Sequence, residues 1–181
     1  MLKQIPEYHF QSLFQEPTTE IIPKNFTEEV ADKVHQFHKQ LPGYNPTELI
    51  SLKALAQYWG VSDIFMKDES TRFDPKAFKV LGGSYAVAQL ICRELGIRLE
   101  DTDYNYLVSD KVRSRINGMT LTTATDGNHG RGIAWAAQQL GIKTVIYMPK
   151  GSAQSRIDNI RSHGATVEVT DLNYDDAVRL A

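Results

Sequence analysis

Two short segments of the chain carry residue types that could do chemistry together. The first is the glycine-rich stretch TDGNHGRG at residues 125–132. Glycines let a backbone approach a ligand closely, and N–H groups at the start of a following helix favour an anion such as a carboxylate or a phosphate. Asn128 adds a neutral donor, and Asp126 adds a carboxylate that could move a proton. Taken alone, the stretch is more typical of an ordinary strand-to-helix turn, and a lone histidine such as His129 is more often structural.

The second segment, DPKAFKVLGGSY at residues 74–85, places Lys79 at the start of a predicted helix. An ammonium group is disfavoured at the positive end of a helix dipole and beside apolar residues, here Phe78, Val80 and Leu81. The free amine of a lysine is a competent nucleophile toward an aldehyde. The alternative is that Lys79 is one of 20 basic residues on a wet surface, and by count alone that is the more common outcome.

The elements that must position these segments alternate between strand and helix in the second half of the chain. Strands are predicted at residues 119–125, 144–148 and 166–169, with helices between them that end at Gly141 and Gly164. This order predicts an α/β fold, in which a parallel sheet is covered by helices in three αβα layers. Ligands of such sheets lie at the carboxyl ends of strands, so a site is expected in the loops after residues 67, 125 and 148.

The first half of the chain is predicted to be mainly helical. Its first two dozen residues show no period and are expected to form an extended arm. A helix is expected to start at a capping box of Asn25 and Glu28 and to end at Pro42-Gly43.

Two further helices and a strand are predicted before residue 97. One helix runs from Ser51 to Gly60 and is expected to bury Leu52, Leu55, Ala56 and Trp59. A short strand follows at residues 63–67, and the next helix runs from Lys79 to Gly96. Residues 97–117 show no clear pattern. We expect two portions: residues 1–85 with the arm, the helices and the Lys79 segment, and residues 86–181 as a small αβα domain.

The composition is that of an average globular protein. Hydrophobic residues make up 41% and charged residues 23% of the chain, and the formal net charge is −2. This balance gives no field that would attract nucleic acid or an anionic membrane. Because no apolar run approaches the ~20 residues that cross a bilayer and no secretory signal is evident, a cytoplasmic protein is expected. The single cysteine, Cys92, is expected to be a buried, unreactive thiol, and no metal site is predicted.

Taken in order, the two segments resemble the tryptophan-synthase-like group of pyridoxal-phosphate-dependent enzymes, also called fold type II, which includes serine and threonine dehydratases. The resemblance is carried by Ala77-Phe78-Lys79 with Gly82-Gly83, followed about fifty residues later by TDGNHG. It implies that Lys79, after Phe78, forms a Schiff base with pyridoxal 5'-phosphate and that Asn128 hydrogen-bonds the cofactor's ring oxygen. It also implies a loop for the substrate carboxylate, made of Thr125, Asp126, Gly127, Asn128 and His129.

The stretch TDGNHGRG narrows the resemblance to diaminopropionate ammonia-lyases, since dehydratases usually have a small residue in place of Asp126. The sequences around residues 67–73, 135–141, 148–154 and 173–176 also resemble that family, from about Phe37 to the end. Residues 74–76 and Glu48 depart from it, which alters loop stiffness more than chemistry. The resemblance implies conversion of 2,3-diaminopropionate to pyruvate and ammonia, with Asp126 as base for the D-isomer. It further implies a homodimer at full length.

Three alternatives remain at this point. A serine or threonine dehydratase would share every residue above except Asp126 and its GRG flank. A truncated, non-catalytic fragment is suggested because the chain stops inside a predicted helix, and the family's phosphate-binding loop and pyridine-nitrogen contact lie in a second half that is absent here. The third is a plain anion-binding α/β module, which would leave Lys79 without a purpose.

Overall fold

The computed structural model describes residues 26–181. The expected N-terminal arm and Asn25 lie outside the described residues. The helices are α1 (Glu28–Lys39), α2 (Lys53–Trp59), α3 (Lys79–Leu95), α4 (Tyr104–Leu107), α5 (Asp110–Ile116), α6 (Asn128–Leu140), α7 (Gln154–Arg161) and α8 (Tyr174–Leu180), with a 3-10 turn at Leu99–Asp101. The strands are β1 (Leu49–Ser51), β2 (Phe65–Lys67), β3 (Thr120–Ala124), β4 (Lys143–Met148) and β5 (Thr166–Val169).

The predicted parallel sheet is present, with strand order β3-β4-β5. Helix α6 connects β3 to β4, and α7 connects β4 to β5. Gly141 caps α6 in the left-handed region at φ 75°, as its position in the sequence predicted. Alternate residues of β4 point to one face of the sheet, where Ile146 and Met148 are fully buried against α6 and α7. The predicted fold class is confirmed, since helices pack on a parallel sheet.

A second hydrophobic cluster holds the helices of the first half to α6. It centres on α3, whose Val80, Val87 and Ile91 are buried. Trp135 and Leu140 of α6 complete the contact. Cys92 is buried in the same cluster, and burial raises the pKa of its thiol, so the unreactive role expected of it agrees with its surroundings. Helix α3 runs unbroken across residues 85 and 86, and the division of the chain at that point stays a prediction.

Several predicted details of the N-terminal half are wrong. Helix α1 is capped by Thr27, whose hydroxyl accepts from the N–H of Val30 at 3.4 Å, so the helix begins at Glu28 and its cap is Thr27; the predicted cap, Asn25, lies outside the described residues. Trp59 is 56% exposed, because α2 is a short helix that buries only Ala56. The strand ending at Lys67 pairs antiparallel with β1, which was not predicted. The loop after Lys67 therefore does not lie at the edge of the parallel sheet.

The region 97–117, which had no clear pattern, contains the 3-10 turn and the short helices α4 and α5. Asp103 and Ser109 cap the two helices with their side chains. In the part of the chain from residue 26 onward, no helix has the length and apolar character that crossing a bilayer would need.

Candidate active site

The glycine-rich stretch forms the turn between β3 and α6, at the carboxyl edge of the parallel sheet. Thr125 follows β3 and is 1% exposed. Its hydroxyl oxygen accepts hydrogen bonds from the N–H groups of Gly127 and Gly130, both at 3.0 Å. One buried oxygen therefore satisfies two backbone donors and fixes the shape of the turn. The side chains of Asp126, Asn128 and His129 are left on the exposed side.

Gly130 lets this turn close tightly over the end of the strand. A Cβ atom built on Gly130 would lie 2.3 Å from Cγ2 of Thr125 and 3.1 Å from Cγ2 of Ile146. Both neighbours are fully buried, so a larger residue would have to displace α6 from the sheet. Gly130 is thus needed for the close approach of helix α6 to the end of strand β3. From the sequence alone, this role could not be distinguished from a role in approaching a ligand.

A second close approach joins this turn to Lys79. Helices α3 and α6 touch backbone to backbone at two glycines, one on each helix. A Cβ on Gly132 would lie 2.9 Å from the carbonyl oxygen of Lys79, and a Cβ on Gly83 would lie 3.2 Å from the carbonyl oxygen of Gly132. The backbone of the predicted nucleophile is therefore held directly against the helix that starts in the glycine-rich turn.

As a result, Lys79 and the turn face one open cleft of about 540 Å³. We call it the Lys79 cleft; it is lined by Lys79, Thr125, Asp126, Gly127, Asn128, His129, Arg156 and Tyr174. Every predicted site residue except Phe78 lies on it. The Phe78 ring is 59% exposed, and its centroid is 5.7 Å from the Lys79 ammonium nitrogen. The apolar neighbours of Lys79 therefore do not enclose its amine, which points into an accessible space.

The electrostatics of His129 reflect the same arrangement. Partial burial of the ring lowers its pKa below the ordinary value, and the nearby positive charge of Lys79 lowers that pKa further. His129 is therefore predominantly neutral at pH 7. A neutral imidazole beside Lys79 can accept a hydrogen bond or donate one without adding a charge to the cleft.

Two residues of the cleft were missed by sequence reasoning. Arg156 comes from α7, and its Nη1 donates to the backbone oxygen of Asp126 at 2.9 Å. The same Nη1 atom lies 4.0 Å from Oδ2 of Asp126. Tyr174 is the first residue of α8. The only available signal was that Arg156 follows the strand ending at Met148, where the carboxyl edge of the sheet was expected to carry a site.

Arg131, from the GRG flank of the motif, points away from the cleft and anchors the segment that precedes Lys79. Its Nη1 donates to the backbone oxygen of Pro75 at 3.0 Å, and its Nε donates to Nε2 of His163 at 3.2 Å. Residues on either side of Pro75, namely Phe73 at φ 50° and Lys76 at φ 51°, adopt left-handed backbone conformations that non-glycine residues rarely use. Arg131 thus holds a strained connection in place just before α3 begins.

The residues of the Lys79 cleft fit pyridoxal phosphate. An accessible lysine amine suits an aldehyde, and the Asn128 amide lies on the same cleft. Helix α6 begins at Asn128, and backbone N–H groups at a helix start would stabilise an anionic group of a substrate. The chemistry of this set of groups, on an α/β sheet with a lysine at a helix start, defines a cofactor-dependent enzyme class and not a simple anion-binding module.

Comparison with known proteins agrees with this class. The sequence matches the family described as "Pyridoxal-phosphate dependent enzyme" over residues 40–181, and the chain belongs to that family. It is similar to the diaminopropionate ammonia-lyase of Escherichia coli, with 52% identity over 86% of this chain and 38% of the relative. The crystal structure of the Escherichia coli enzyme in complex with D-serine is similar in fold, with a TM-score of 0.79, 50% identity, and coverage of 87% of this chain and 40% of that one.

A more distant relative is the D-serine dehydratase of Photorhabdus laumondii, with 30% identity over 70% of this chain and 30% of the relative. The chain thus spans about two fifths of the length of the ammonia-lyase it matches. Its likeness to the ammonia-lyases is considerably higher than its likeness to the dehydratases, as Asp126 predicted.

Proposed function

We propose that this chain is part of a pyridoxal-phosphate-dependent ammonia-lyase that converts 2,3-diaminopropionate and water to pyruvate and two molecules of ammonia. The observation that carries the proposal is the Lys79 cleft, where the lysine and the TDGNHG turn meet. Relatives that share half of its residues bear this name. Because the chain spans only about two fifths of their length, the activity is proposed for the whole protein.

Each residue of the cleft has a distinct proposed task. When bound, the cofactor supplies an electron sink for the negative charge that develops at the substrate's α-carbon. Lys79 holds the cofactor through its aldehyde, and Asn128 donates a hydrogen bond to the ring oxygen. The loop of residues 125–129 binds the substrate carboxylate through backbone N–H groups other than those of Thr125 and Gly127, which already donate within the protein. Asp126 removes the α-proton of the D-isomer, since its exposed carboxylate lies on the same cleft as Lys79.

A second candidate, dehydration of serine, is favoured by the D-serine dehydratase relatives and by the D-serine bound to the Escherichia coli enzyme. It would use the same lysine and the same turn. Asp126 argues for diaminopropionate, because a dehydratase usually has a small residue there. The cytoplasmic location and the homodimer expected from the sequence also stay proposals.

The decisive experiment measures pyruvate and ammonia release by the full-length protein from D- and L-2,3-diaminopropionate and from D- and L-serine. We expect faster turnover of diaminopropionate, and a visible absorption band on adding pyridoxal phosphate. Lys79→Ala should abolish both. The matched control is Lys143→Ala, an exposed lysine at the opposite end of β4. If the protein turned over serine but not diaminopropionate, the dehydratase function would replace the proposed one. If Lys79→Ala kept the absorption band unchanged, Lys79 would not be the residue that holds the cofactor.

A further inference from the structure

The side chain of Arg156 contacts the peptide unit that joins Asp126 to Gly127. It is the third residue of α7, and its Nη1 donates to the Asp126 backbone oxygen at 2.9 Å. Its aliphatic stem lies along the turn, because a Cβ built on Gly127 would be 3.5 Å from the Arg156 Cδ atom. Helix α7 therefore reaches across the carboxyl edge of the sheet and contacts the backbone on both sides of the Asp126–Gly127 bond.

The turn is thus fixed from two directions. Thr125 accepts from the N–H of Gly127 on the buried side, and Arg156 donates to the carbonyl of Asp126 on the exposed side. These two contacts hold the peptide group between Asp126 and Gly127 at its oxygen and at its nitrogen. Its rotation is restricted, and the direction of the Asp126 side chain is restricted with it.

The Arg156 guanidinium also faces the Asp126 carboxylate, with 4.0 Å between Nη1 and Oδ2. Both side chains are largely exposed, at 58% and 75%, so the charge pair itself contributes little to stability. Within residues 26–181, the Arg156 side chain makes no other hydrogen bond or ion pair. Its contacts therefore act on the geometry of one loop residue and not on the overall stability of the fold.

We propose that Arg156 is the positioning residue for Asp126 and thereby sets the enzyme's turnover of the D-isomer. This rests on the proposed function, in which Asp126 removes the α-proton. When two enantiomers are bound through the same groups, their α-hydrogens point to opposite faces of the α-carbon. A base on one face serves one isomer, so a residue that aims this base affects that isomer selectively. A guanidinium that bound the substrate carboxylate directly would affect both isomers alike.

The test compares Arg156→Gln, Arg156→Lys and the control Arg161→Gln in the full-length protein loaded with pyridoxal phosphate. Arg161 lies on the same helix, is exposed, and is absent from the Lys79 cleft. We expect Arg156→Gln to lower kcat for the D-isomer on the order of ten- to a hundredfold, the scale that a misplaced catalytic group produces. KM for the D-isomer and kcat for the L-isomer should change less than about twofold, because binding of the substrate carboxylate is unchanged.

Two further measurements separate positioning from other roles. Arg156→Lys should recover part of the D-isomer turnover, because an ammonium can still donate to the Asp126 carbonyl. In an Asp126→Asn background, Arg156→Gln should have no additional effect, because both changes act through one carboxylate. A rise of KM for both isomers, an equal loss of kcat for both, or additive losses in the double variant would each overturn the proposal.

A readout without substrate keeps the inference separate from the proposed function. Amide hydrogen exchange of residues 125–132 should be faster in Arg156→Gln than in the wild-type protein, and unchanged in Arg161→Gln. Unchanged exchange in Arg156→Gln overturns the positioning role whatever the enzyme's substrate. A wild-type protein that releases no ammonia from diaminopropionate contradicts the proposed function instead, and leaves the exchange comparison to decide on Arg156.

Discussion

At the scale of single residues, the cleft separates side chains that face the ligand from those that shape the turn. Thr125 is the first residue of the predicted carboxylate loop after β3, yet its hydroxyl is buried and accepts from backbone N–H groups. Asp126 is its neighbour and is exposed on the cleft. Adjacent residues of one motif thus have different roles, because successive side chains at the end of a strand point in opposite directions.

The role of Asp126 predicts a stereoselective loss of activity. Asp126→Asn keeps the shape and the hydrogen-bonding size of the side chain but removes the base. We expect the variant to keep the absorption band of bound pyridoxal phosphate and to lose about 10²- to 10⁴-fold in turnover of D-2,3-diaminopropionate, the usual worth of a positioned general base. Steady-state kinetics with each isomer check this, with exposed Asp63→Asn as the control. An equal loss of turnover with both isomers would show that Asp126 is not a base that acts on one face of the α-carbon.

At the scale of elements, the site depends on two helices that approach each other at glycines. A Cβ on Gly132 would lie 2.9 Å from the Lys79 carbonyl oxygen and 3.1 Å from the Val80 nitrogen. Backbone atoms cannot rotate away as a side chain does, so α3 and α6 must separate to admit even one methyl group. That separation would move Lys79 relative to the glycine-rich turn, and would therefore disturb the cleft from outside it.

Gly132→Ala should accordingly lower both stability and cofactor binding. We expect a loss of about 1–3 kcal/mol in the free energy of unfolding, as overpacked sites show, measured by urea denaturation. The affinity for pyridoxal phosphate, followed by its visible band, should fall as well. Gly82→Ala is the matched control: it lies on α3, and a Cβ there meets nothing within 4 Å. That change should be neutral or stabilise the protein by up to about 1 kcal/mol, because alanine favours a helix. Equal losses in the two variants would contradict the close-approach argument.

The elements that the sequence predicted well are those whose signals are local. The ends of α3 and α6 were visible because Gly96 and Gly141 occupy left-handed positions directly after the last apolar residues. The pairing of β1 with β2 was not visible, because each strand has three residues. Their paired residues lie 14 to 18 positions apart, without a tight-turn signature between the strands. Trp59 was expected to be buried because spacing reveals an apolar face but not whether another element covers it.

The residues of the site divide in the same way, into those with a local signal in the sequence and those without one. Its lysine and its turn were predicted from motifs that are each contiguous in sequence, and the structure brings them to one cleft. Arg156 could not be found in this way. Its contact with Asp126 spans 30 residues and depends on how α7 leaves the sheet. The tight packing of Gly130 and Gly132 was likewise invisible, because a glycine in a motif does not reveal which atoms approach it.

At the scale of the whole molecule, Arg131 links three parts of the described chain: helix α6, the segment before α3, and the end of α7. It donates to the Pro75 carbonyl and to the ring of His163, which is 5% exposed. A guanidinium can only donate, so Nε2 of His163 must accept, and the ring must be neutral. Burial and the charge of Arg131 both lower the pKa of His163, and Asp74 raises it to a smaller extent. The link therefore holds only while His163 is unprotonated.

This link predicts a dependence of stability on pH. Because the pKa of His163 is lower in the folded protein than in the unfolded chain, the unfolded chain binds more protons, and stability rises with pH in that window. The contribution of His163 is complete above the ordinary imidazole pKa of about 6.5 and is lost as the pH falls below it. His38 and His129 also have lowered pKa values and act in the same direction. The contribution of His163 is therefore measured as the difference in pH dependence of stability between the wild-type protein and a His163 variant.

Replacing His163 by glutamine isolates the contribution of His163 to the pH dependence of stability. Glutamine offers an oxygen that can accept from Arg131 but takes up no proton, so His163→Gln should lose less stability than the wild-type protein between pH 7.5 and 5.5. Urea denaturation at both values gives the two losses. Gln57→Asn, a change at an exposed residue that takes up no proton, should leave the wild-type difference intact. If His163→Gln were as sensitive to acid as the wild-type protein, the proton would bind elsewhere, and Arg131 would hold the Lys79 segment regardless of the charge on His163.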